Sequence, residues 1–233
     1  MAIPRPPLAT RLAAEALGTA FLLAIIVGSG ITGQRLAGGN AALALLANSI
    51  ATGCGLAAMI YVVAPISGAH FNPLVSILAA LRKDFLWRDV VPYAAVQTVA
   101  AIAGVVVANL MFEEPLIAAS THARTGWAQW VSEGVATFGL MVTIFLVAAR
   151  GQEKPAGGLA VAVGGYITAA YWFTSSTAFA NPAVTIARSM SDTFAGIRPD
   201  DVPAFIVAQC AGLAIAAFAL RSGGIASGTG NGA

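Results

Sequence analysis

Charged side chains are scarce in this chain. Only 9% of its 233 residues are Asp, Glu, Lys or Arg, whereas 58% are hydrophobic, and the mean hydropathy is +0.81. Because a soluble domain carries about 25% charged residues, this composition excludes a water-soluble protein and favours one that lies in a lipid bilayer. The basic residues lie at the ends of apolar runs and form no patch, so a nucleic-acid partner is not expected.

Cysteine and histidine are also rare, with two of each. Cys54 and Cys210 lie within separate apolar segments, and they supply neither a disulfide framework nor a metal site. The sequence contains no Ser/His/Asp arrangement, no cluster of metal ligands and no phosphate-binding loop. We therefore expect no cofactor and no enzymatic activity.

Apolar runs long enough to cross a bilayer, about 20 residues each, occur six times. Two of the spans contain a carboxylate near their start, Glu15 in the first and Glu133 in the fourth. These features predict an all-α membrane protein. The spans fall within about Ala13 to Ile31, Leu36 to Leu81, Val90 to Phe112, about Trp127 to Ala149, Pro155 to Ala187, and Val202 to Leu220.

The basic residues at the span ends predict the orientation of the chain. Eight of the 12 Lys and Arg residues lie on one side of the predicted membrane and four on the other, so the first side should be cytoplasmic. Both termini then lie inside, in the plasma (inner) membrane. The eight are Arg5, Arg11, Arg82, Lys83, Arg88, Arg150, Lys154 and Arg221; the four are Arg35, Arg124, Arg188 and Arg198.

The chain reads as one membrane domain, residues 1–233, built from two related halves. Three pairs recur in the same order: Glu15 with Glu133, Asn72-Pro73 with Asn181-Pro182, and Gln97 with Gln209. With three spans in each half, about 9–112 and 127–221, the second copy must enter from the opposite face and form an inverted repeat. The Gly- and Ser-rich tail, 222–233, is predicted to be disordered.

Each Asn-Pro pair predicts the start of a short helix, because Asn is a good N-cap and Pro suits the first helical position. The segment from Asn72 to Leu81 would be about 15 Å long, half the thickness of the hydrocarbon core. It should enter the membrane without crossing it. Inverted symmetry predicts an equivalent half-helix from Asn181, with the two N-termini meeting near the midplane.

Two helix N-termini at one depth place partial positive charges, roughly +0.5 each, beside the amide donors of Asn72 and Asn181. A cation is disfavoured there, whereas a neutral hydroxylic solute is accepted. The non-helical stretches before them, 67–71 and 175–180, would be tolerated at this depth only where they line a watery path. The pattern predicts a pore.

These motifs resemble those of the aquaporin and aquaglyceroporin family over about residues 9–221. The resemblance implies a passive channel, six transmembrane helices with two re-entrant half-helices, and a homotetramer with one pore per subunit. It also implies that Glu15 and Glu133 hold the pore loops and that His70 packs in the pore wall. The residues that carry it are Ser67 to Pro73 with Leu74, Asn181-Pro182-Ala183, Glu15, Glu133, Gln97 and Gln209.

The chain departs from this family at the selectivity filter. The position after the second Asn-Pro-Ala, where the family usually has Arg, is Val184. Counting from the two asparagines, the other filter positions fall on Thr52, Ala169 and Ala178. Bacterial members associated with arsenic detoxification are similar in lacking the Arg. We expect a wide filter that passes glycerol and neutral metalloid hydroxides such as arsenite, together with water.

Arg188 leaves an alternative open, because it follows Val184 by one helical turn. It could guard the entrance. Alternatively, it could extend to the surface or pair with Asp192, and we favour this second interpretation. A water-selective pore narrowed by Arg188 or by Leu74 is the alternative function. Cys54, two residues after Thr52, could bind trivalent arsenic, but a small inert side chain is the commoner role.

A secondary transporter is the alternative from a different class, since inverted repeats and broken helices occur there too. Glu15 and Glu133 would then relay protons. A transporter concentrates its solute against a gradient, whereas a channel only equilibrates it. A junctional protein would need a blocked pore, which the small filter residues do not indicate.

Overall fold

The structure is a computed structural model that describes residues 6–150 and 157–222. Throughout these two ranges, the regular secondary structure is helical. Of the tail predicted to be disordered, only Ser222 lies within them, and Arg5 and Lys154, two of the charges predicted to be cytoplasmic, lie outside. The predicted all-α class is confirmed.

Among the described residues, five helices are long and apolar enough to cross a membrane, the last together with the 3-10 turn that precedes it. A sixth, α6, has only 16 residues and an extended stretch follows it. Together they form the six predicted spans. Their bounds are α1 Leu8–Leu36, α2 Ala41–Ser67, α4 Trp87–Met111, α5 Trp127–Ala149, α6 Gly158–Phe173 and α8 Val202–Ser222.

The two half-helices are α3, Pro73–Leu81, and α7, Pro182–Arg188. Each begins with proline, and each is capped by the asparagine before it. The side chain of Asn72 accepts a hydrogen bond from the Leu74 amide, and that of Asn181 accepts from the amides of the next two non-proline residues. The local sequence therefore sets where both helices start.

Small residues allow the long helices to approach closely. A Cβ added at Gly164 of α6 would fall against the carbonyl oxygen of Gly53 in α2. Gly104 of α4 lies against the carbonyl oxygen of Ala20 in the same way. Such contacts bring backbones together without bulky side chains between them, which is the usual packing of membrane helices.

Many large apolar side chains point outward from the bundle, as a lipid-facing surface requires. They are spread over the long helices and alternate with the buried faces that pack inside. Examples are Leu17, Phe21, Val62, Val99, Leu110, Val131, Val161, Val207 and Phe218.

Replacing Gly164 by Ala should lower the stability of the protein, because the new methyl group has backbone atoms on one side and the Ala57 methyl on the other. Overpacking of this kind costs about 1–3 kcal/mol. Thermal unfolding of the detergent-solubilised protein, followed by Trp fluorescence, measures the loss. Gly165→Ala is the matched control, since no atom lies within 4 Å of its added Cβ; equal melting temperatures for the two variants would contradict the packing.

Candidate functional site

A cavity of about 340 Å³ runs through the middle of the bundle, past the N-termini of both half-helices. Asn72 and Asn181 lie in its wall. Arg82 and Asp84 line one end, which we name the Arg82 end, and Arg188 lines the opposite one, the Arg188 end. The cavity therefore extends to both sides of the two asparagines.

The two asparagines join the halves of the chain. The side-chain amide of Asn72 donates to the carbonyl oxygen of Ala180 at 2.8 Å, and that of Asn181 donates to the carbonyl oxygen of Phe71 at 2.7 Å. Each oxygen meanwhile caps its own half-helix. Each side chain thus fixes its own helix and the loop of the other half.

The stretch before each half-helix has an unusual backbone. Ala69 and Phe71 precede α3, and Ala178 and Ala180 precede α7, all with φ between 47° and 51°. This left-handed conformation costs roughly 1–2 kcal/mol for a residue other than glycine. It must therefore be held by other interactions.

Glu15 supplies those interactions for the first stretch. Its carboxylate is buried and accepts hydrogen bonds from the backbone amides of His70 at 2.9 Å and Phe71 at 2.7 Å. It also accepts from the Ser67 hydroxyl and the Gln97 amide. Four donors surround one carboxylate, which offsets the cost of burying its charge.

Glu133 makes the equivalent contacts for the second stretch. Its two oxygens accept from the backbone amides of Phe179 at 2.8 Å and Ala180 at 2.9 Å. The side-chain amide of Gln209 donates to the same carboxylate at 2.7 Å and to the Thr185 hydroxyl at 2.8 Å. The Glu and Gln pairs identified in the sequence thus meet at corresponding places.

His70 lies in the cavity wall. Its Nδ1 is 3.0 Å from the Ser76 hydroxyl, and its ring packs edge-on against Phe85 and at a tilt against Tyr93. These contacts fix the orientation of the imidazole within the pore loop.

The wall near the Arg188 end contains three of the four predicted filter residues, Thr52, Ala178 and Val184. Ala169 is not among them: its side chain is exposed, so that prediction is wrong. The face of α6 toward the cavity carries Val163, Ile167 and Tyr171, four residues apart, and a position two residues from Ile167 points about 200° away from it.

Arg188 is buried, with 2% of its surface exposed. Its Nε donates to the carbonyl oxygen of Ala195, and its guanidinium carbon lies 3.4 Å from the centre of the Phe179 ring. Asp192 instead accepts from the amide and hydroxyl of Thr121. The surface position and the Asp192 ion pair that we favoured are therefore wrong.

Two other residues singled out in the sequence do not line the cavity. Leu74 is buried in the hydrophobic core behind it, so it does not narrow the path. Cys54 has an exposed side chain on the other side of α2 from Thr52.

A second cavity, of about 260 Å³, adjoins the Arg188 end; we name it the vestibule. Arg188 lines both cavities, and Arg124 lines the vestibule. The sequence had identified Arg124 only as a charge at a span end. Residues of the vestibule wall come from α2, α5, α7, the connections after α4 and after α7, and the loop before α7: Ala41, Leu45, Asn48, His122, Ala123, Arg124, Gln129, Ser175, Thr177, Arg188 and Phe194.

Burial lowers the pKa values of two basic side chains in the vestibule wall, Arg124 and His122. Burial, together with the neighbouring charge of Arg188, lowers the pKa of Arg124 to about 9, so its guanidinium stays protonated at neutral pH. Burial and the charges of both arginines also lower the pKa of His122 below 6.5. The imidazole is then neutral at neutral pH, and the positive charge comes from the arginines.

Comparison with known proteins gives concordant results. The family model described as "Major intrinsic protein" matches residues 4–176. Aquaglyceroporin AqpS of Rhizobium meliloti (strain 1021) is 51% identical over 91% of this chain and 89% of its own. Aquaporin AqpM of Methanothermobacter thermautotrophicus is 31% identical over 91% and 96%. The X-ray structure of the aquaglyceroporin from Plasmodium falciparum has the same fold, with a TM-score of 0.70 at 21% identity over 92% and 96%.

Changing Glu133 to Gln should destabilise the cavity wall, because an amide cannot accept all three hydrogen bonds that the carboxylate accepts. Losing charge-assisted bonds in a buried site costs about 1.5–3 kcal/mol each. We expect a lower melting temperature and a reduced water permeability in liposomes. Glu113→Gln, on the exposed connection after α4, is the control and should leave both unchanged; a wild-type melting temperature for Glu133→Gln would show that the carboxylate is dispensable.

Proposed function

This chain belongs to the major intrinsic protein family, whose members are membrane channels and not enzymes, and on that premise we propose which solutes it passes. Its pore carries small uncharged solutes through a wide filter: glycerol, neutral metalloid hydroxides such as arsenite, and water. The single observation that carries the proposal is that Val184 lies in the wall near the Arg188 end. An arginine at this position, as the family usually has, would extend a longer cationic side chain into the path.

The chemistry of this wall supports an amphipathic solute. Val184, Ala178 and Ile167 present short or aliphatic side chains. The polar side chains of this wall are those of Arg188, Tyr171 and Thr52, and the hydroxyl oxygens of Tyr171 and Thr52 are 3.3 Å apart. A molecule with carbon on one edge and hydroxyl groups on the other can satisfy both kinds of surface at once.

Neutrality of the solute follows from the middle of the pore. Both half-helices direct their N-termini at the cavity, so a cation meets two partial positive charges there. The carbonyl oxygens that precede the half-helices accept hydrogen bonds from hydroxyl groups. Glycerol has further support from the name of the relative at 51% identity, an aquaglyceroporin. The proposal that arsenite passes rests on Val184 at the filter position where the family usually has Arg.

A second candidate is favoured by the position of Arg188. Because its guanidinium lines the cavity, it can narrow the path one turn beyond Val184 and leave a water-selective pore. The contacts of Arg188 with the Phe179 ring and the Ala195 carbonyl oxygen argue against this candidate, since they hold the guanidinium against the wall.

We further propose the sidedness and assembly of the channel. The excess of basic residues supports an outward-facing Arg188 end with both termini cytoplasmic, in the plasma (inner) membrane. Glu15 and Glu133 make equivalent contacts in the two halves, and so do Asn72 and Asn181. This equivalence supports two inverted repeats, about 9–112 and 127–221, in one channel domain. A homotetramer rests on the family resemblance.

Val184→Arg should close the wide filter. In liposomes we expect glycerol and arsenite permeability to fall at least about tenfold, equivalent to about 1.4 kcal/mol of added barrier, while water permeability falls less. Stopped-flow light scattering measures water and glycerol, and uptake into the same vesicles measures arsenite. Val184→Ala is the control and should keep all three. Wild-type glycerol and arsenite fluxes through Val184→Arg would refute the wide filter.

Passive conduction makes a separate prediction. Glycerol inside vesicles should reach the outside concentration and stop there, with or without an imposed proton gradient. A transporter that used Glu15 or Glu133 as a proton relay would instead accumulate solute when the gradient is present. Accumulation of glycerol above the outside concentration would therefore contradict the channel proposal and favour a transporter.

A further inference from the structure

The vestibule is strongly asymmetric in charge. Two arginines, Arg124 and Arg188, are among the eleven residues of its wall, and none of the eleven is acidic. Both arginines are more than nine-tenths buried. Buried charges ordinarily have a counter-ion, because removing a charge from water is costly.

Arg124 is held rigidly by the backbone around it. Its Nε donates to the carbonyl oxygen of Gly196 at 2.8 Å, and its Nη1 donates to the carbonyl oxygen of Ser176 at 3.1 Å. Its backbone amide donates to a carboxylate oxygen of Asp201. Within residues 6–150 and 157–222, the structure shows no hydrogen bond from the remaining nitrogen, Nη2.

Arg188 is held on the same support. Phe179 lies under its guanidinium and also under that of Arg124, whose carbon is 4.9 Å from the ring centre. One ring therefore contacts both cationic groups. Nε of Arg188 donates to the carbonyl oxygen of Ala195, and the Tyr171 hydroxyl lies near the guanidinium. The terminal nitrogens carry four N–H groups, so further donors remain.

Neither arginine has an ion-pair partner in the described part of the chain, where the salt bridges involve other arginines. Asp201 takes the backbone amide of Arg124 and the side chain of Arg198. Glu133 is occupied by the loop before α7 and by Gln209. Two fixed positive charges thus lie beside a cavity whose own wall has no acidic side chain, although the buried carboxylate of Glu133 attracts both charges from outside that wall.

We propose that the vestibule is a binding site for a small oxyanion, a carboxylate or phosphate-type group held between Arg124 and Arg188. The planar guanidinium matches the spacing of two oxygens on such a group, and preorganised arginines lose little entropy when they bind it. The cavity volume of about 260 Å³ suits an anion of a few heavy atoms. This cavity is distinct from the central one, although Arg188 lines both.

A bound oxyanion would also lie at the mouth of the pore. Because Arg188 belongs to both cavities, the anion would stand in front of the filter and slow the entry of neutral solutes from that side. The vestibule is then a site at which an extramembrane anion lowers the permeability of the channel.

Binding of inorganic phosphate to the purified protein in nonionic detergent tests the proposal, by isothermal titration calorimetry at low ionic strength. Wild-type protein should bind phosphate saturably and chloride at least about tenfold more weakly. A spherical chloride ion has no pair of oxygens to match the paired N–H groups of a guanidinium. Absence of saturable phosphate binding, or equal binding of chloride, would overturn it. This measurement does not depend on which solute the pore passes.

Two variants locate the site. Ala123→Asp places a carboxylate in the vestibule without removing any hydrogen bond of Arg124, and it should weaken phosphate binding at least about tenfold. Arg124→Gln should do the same, with a melting temperature measured to verify folding. Ala119→Asp and Arg35→Gln change charge by the same amounts on exposed residues outside the vestibule wall, and should change the affinity less than about twofold. An equal loss in these controls would show a general surface field and no built site.

Discussion

The pore depends on two buried carboxylates that each hold a strained strip of backbone. Glu15 and Glu133 accept hydrogen bonds from the backbone amides of successive residues next to the half-helices, where the chain adopts a left-handed conformation that only tight constraint maintains. Residues of both strips line the cavity that passes the half-helix N-termini. Without an ionised acceptor, their buried amides would have no partner, and the half-helices would lose the anchor that sets their depth.

The two halves share this device but differ in what surrounds it. In the first half the imidazole of His70 lies in the wall and packs against the rings of Phe85 and Tyr93, and in the second half the ring of Phe179 contacts two guanidinium groups. The approximate symmetry therefore ends at the side chains that face the two entrances. One end of the pore is lined by Arg82, which pairs with the carboxylate of Asp84, and the other by Arg188, which makes no ion pair within the residues that the structure describes.

Sequence reasoning succeeded where a signal is local and failed where a contact is distant. The asparagines before proline marked both half-helices, because capping depends only on adjacent residues. Ala169 was misplaced since counting back from Asn181 assumes a fixed length for the extended stretch, and the register of α6 decides which residues face the path. Arg188 was assigned to the surface because its partners, Ala195 and Phe179, are brought to it only by the folded connections. Arg124 carries no local signal at all, since its partners lie more than 50 residues further along the chain.

The crossed bonds of Asn72 and Asn181 have a consequence for how the protein is made. Each amide completes the loop of the other half, so the first re-entrant segment keeps an unpaired donor and an open carbonyl until the second has arrived. A ribosome delivers that second segment only after most of the chain has been inserted in the bilayer. The conduit is consequently closed off from the lipid, and becomes functional, as one of the last events of biogenesis, whatever the order in which the individual helices cross.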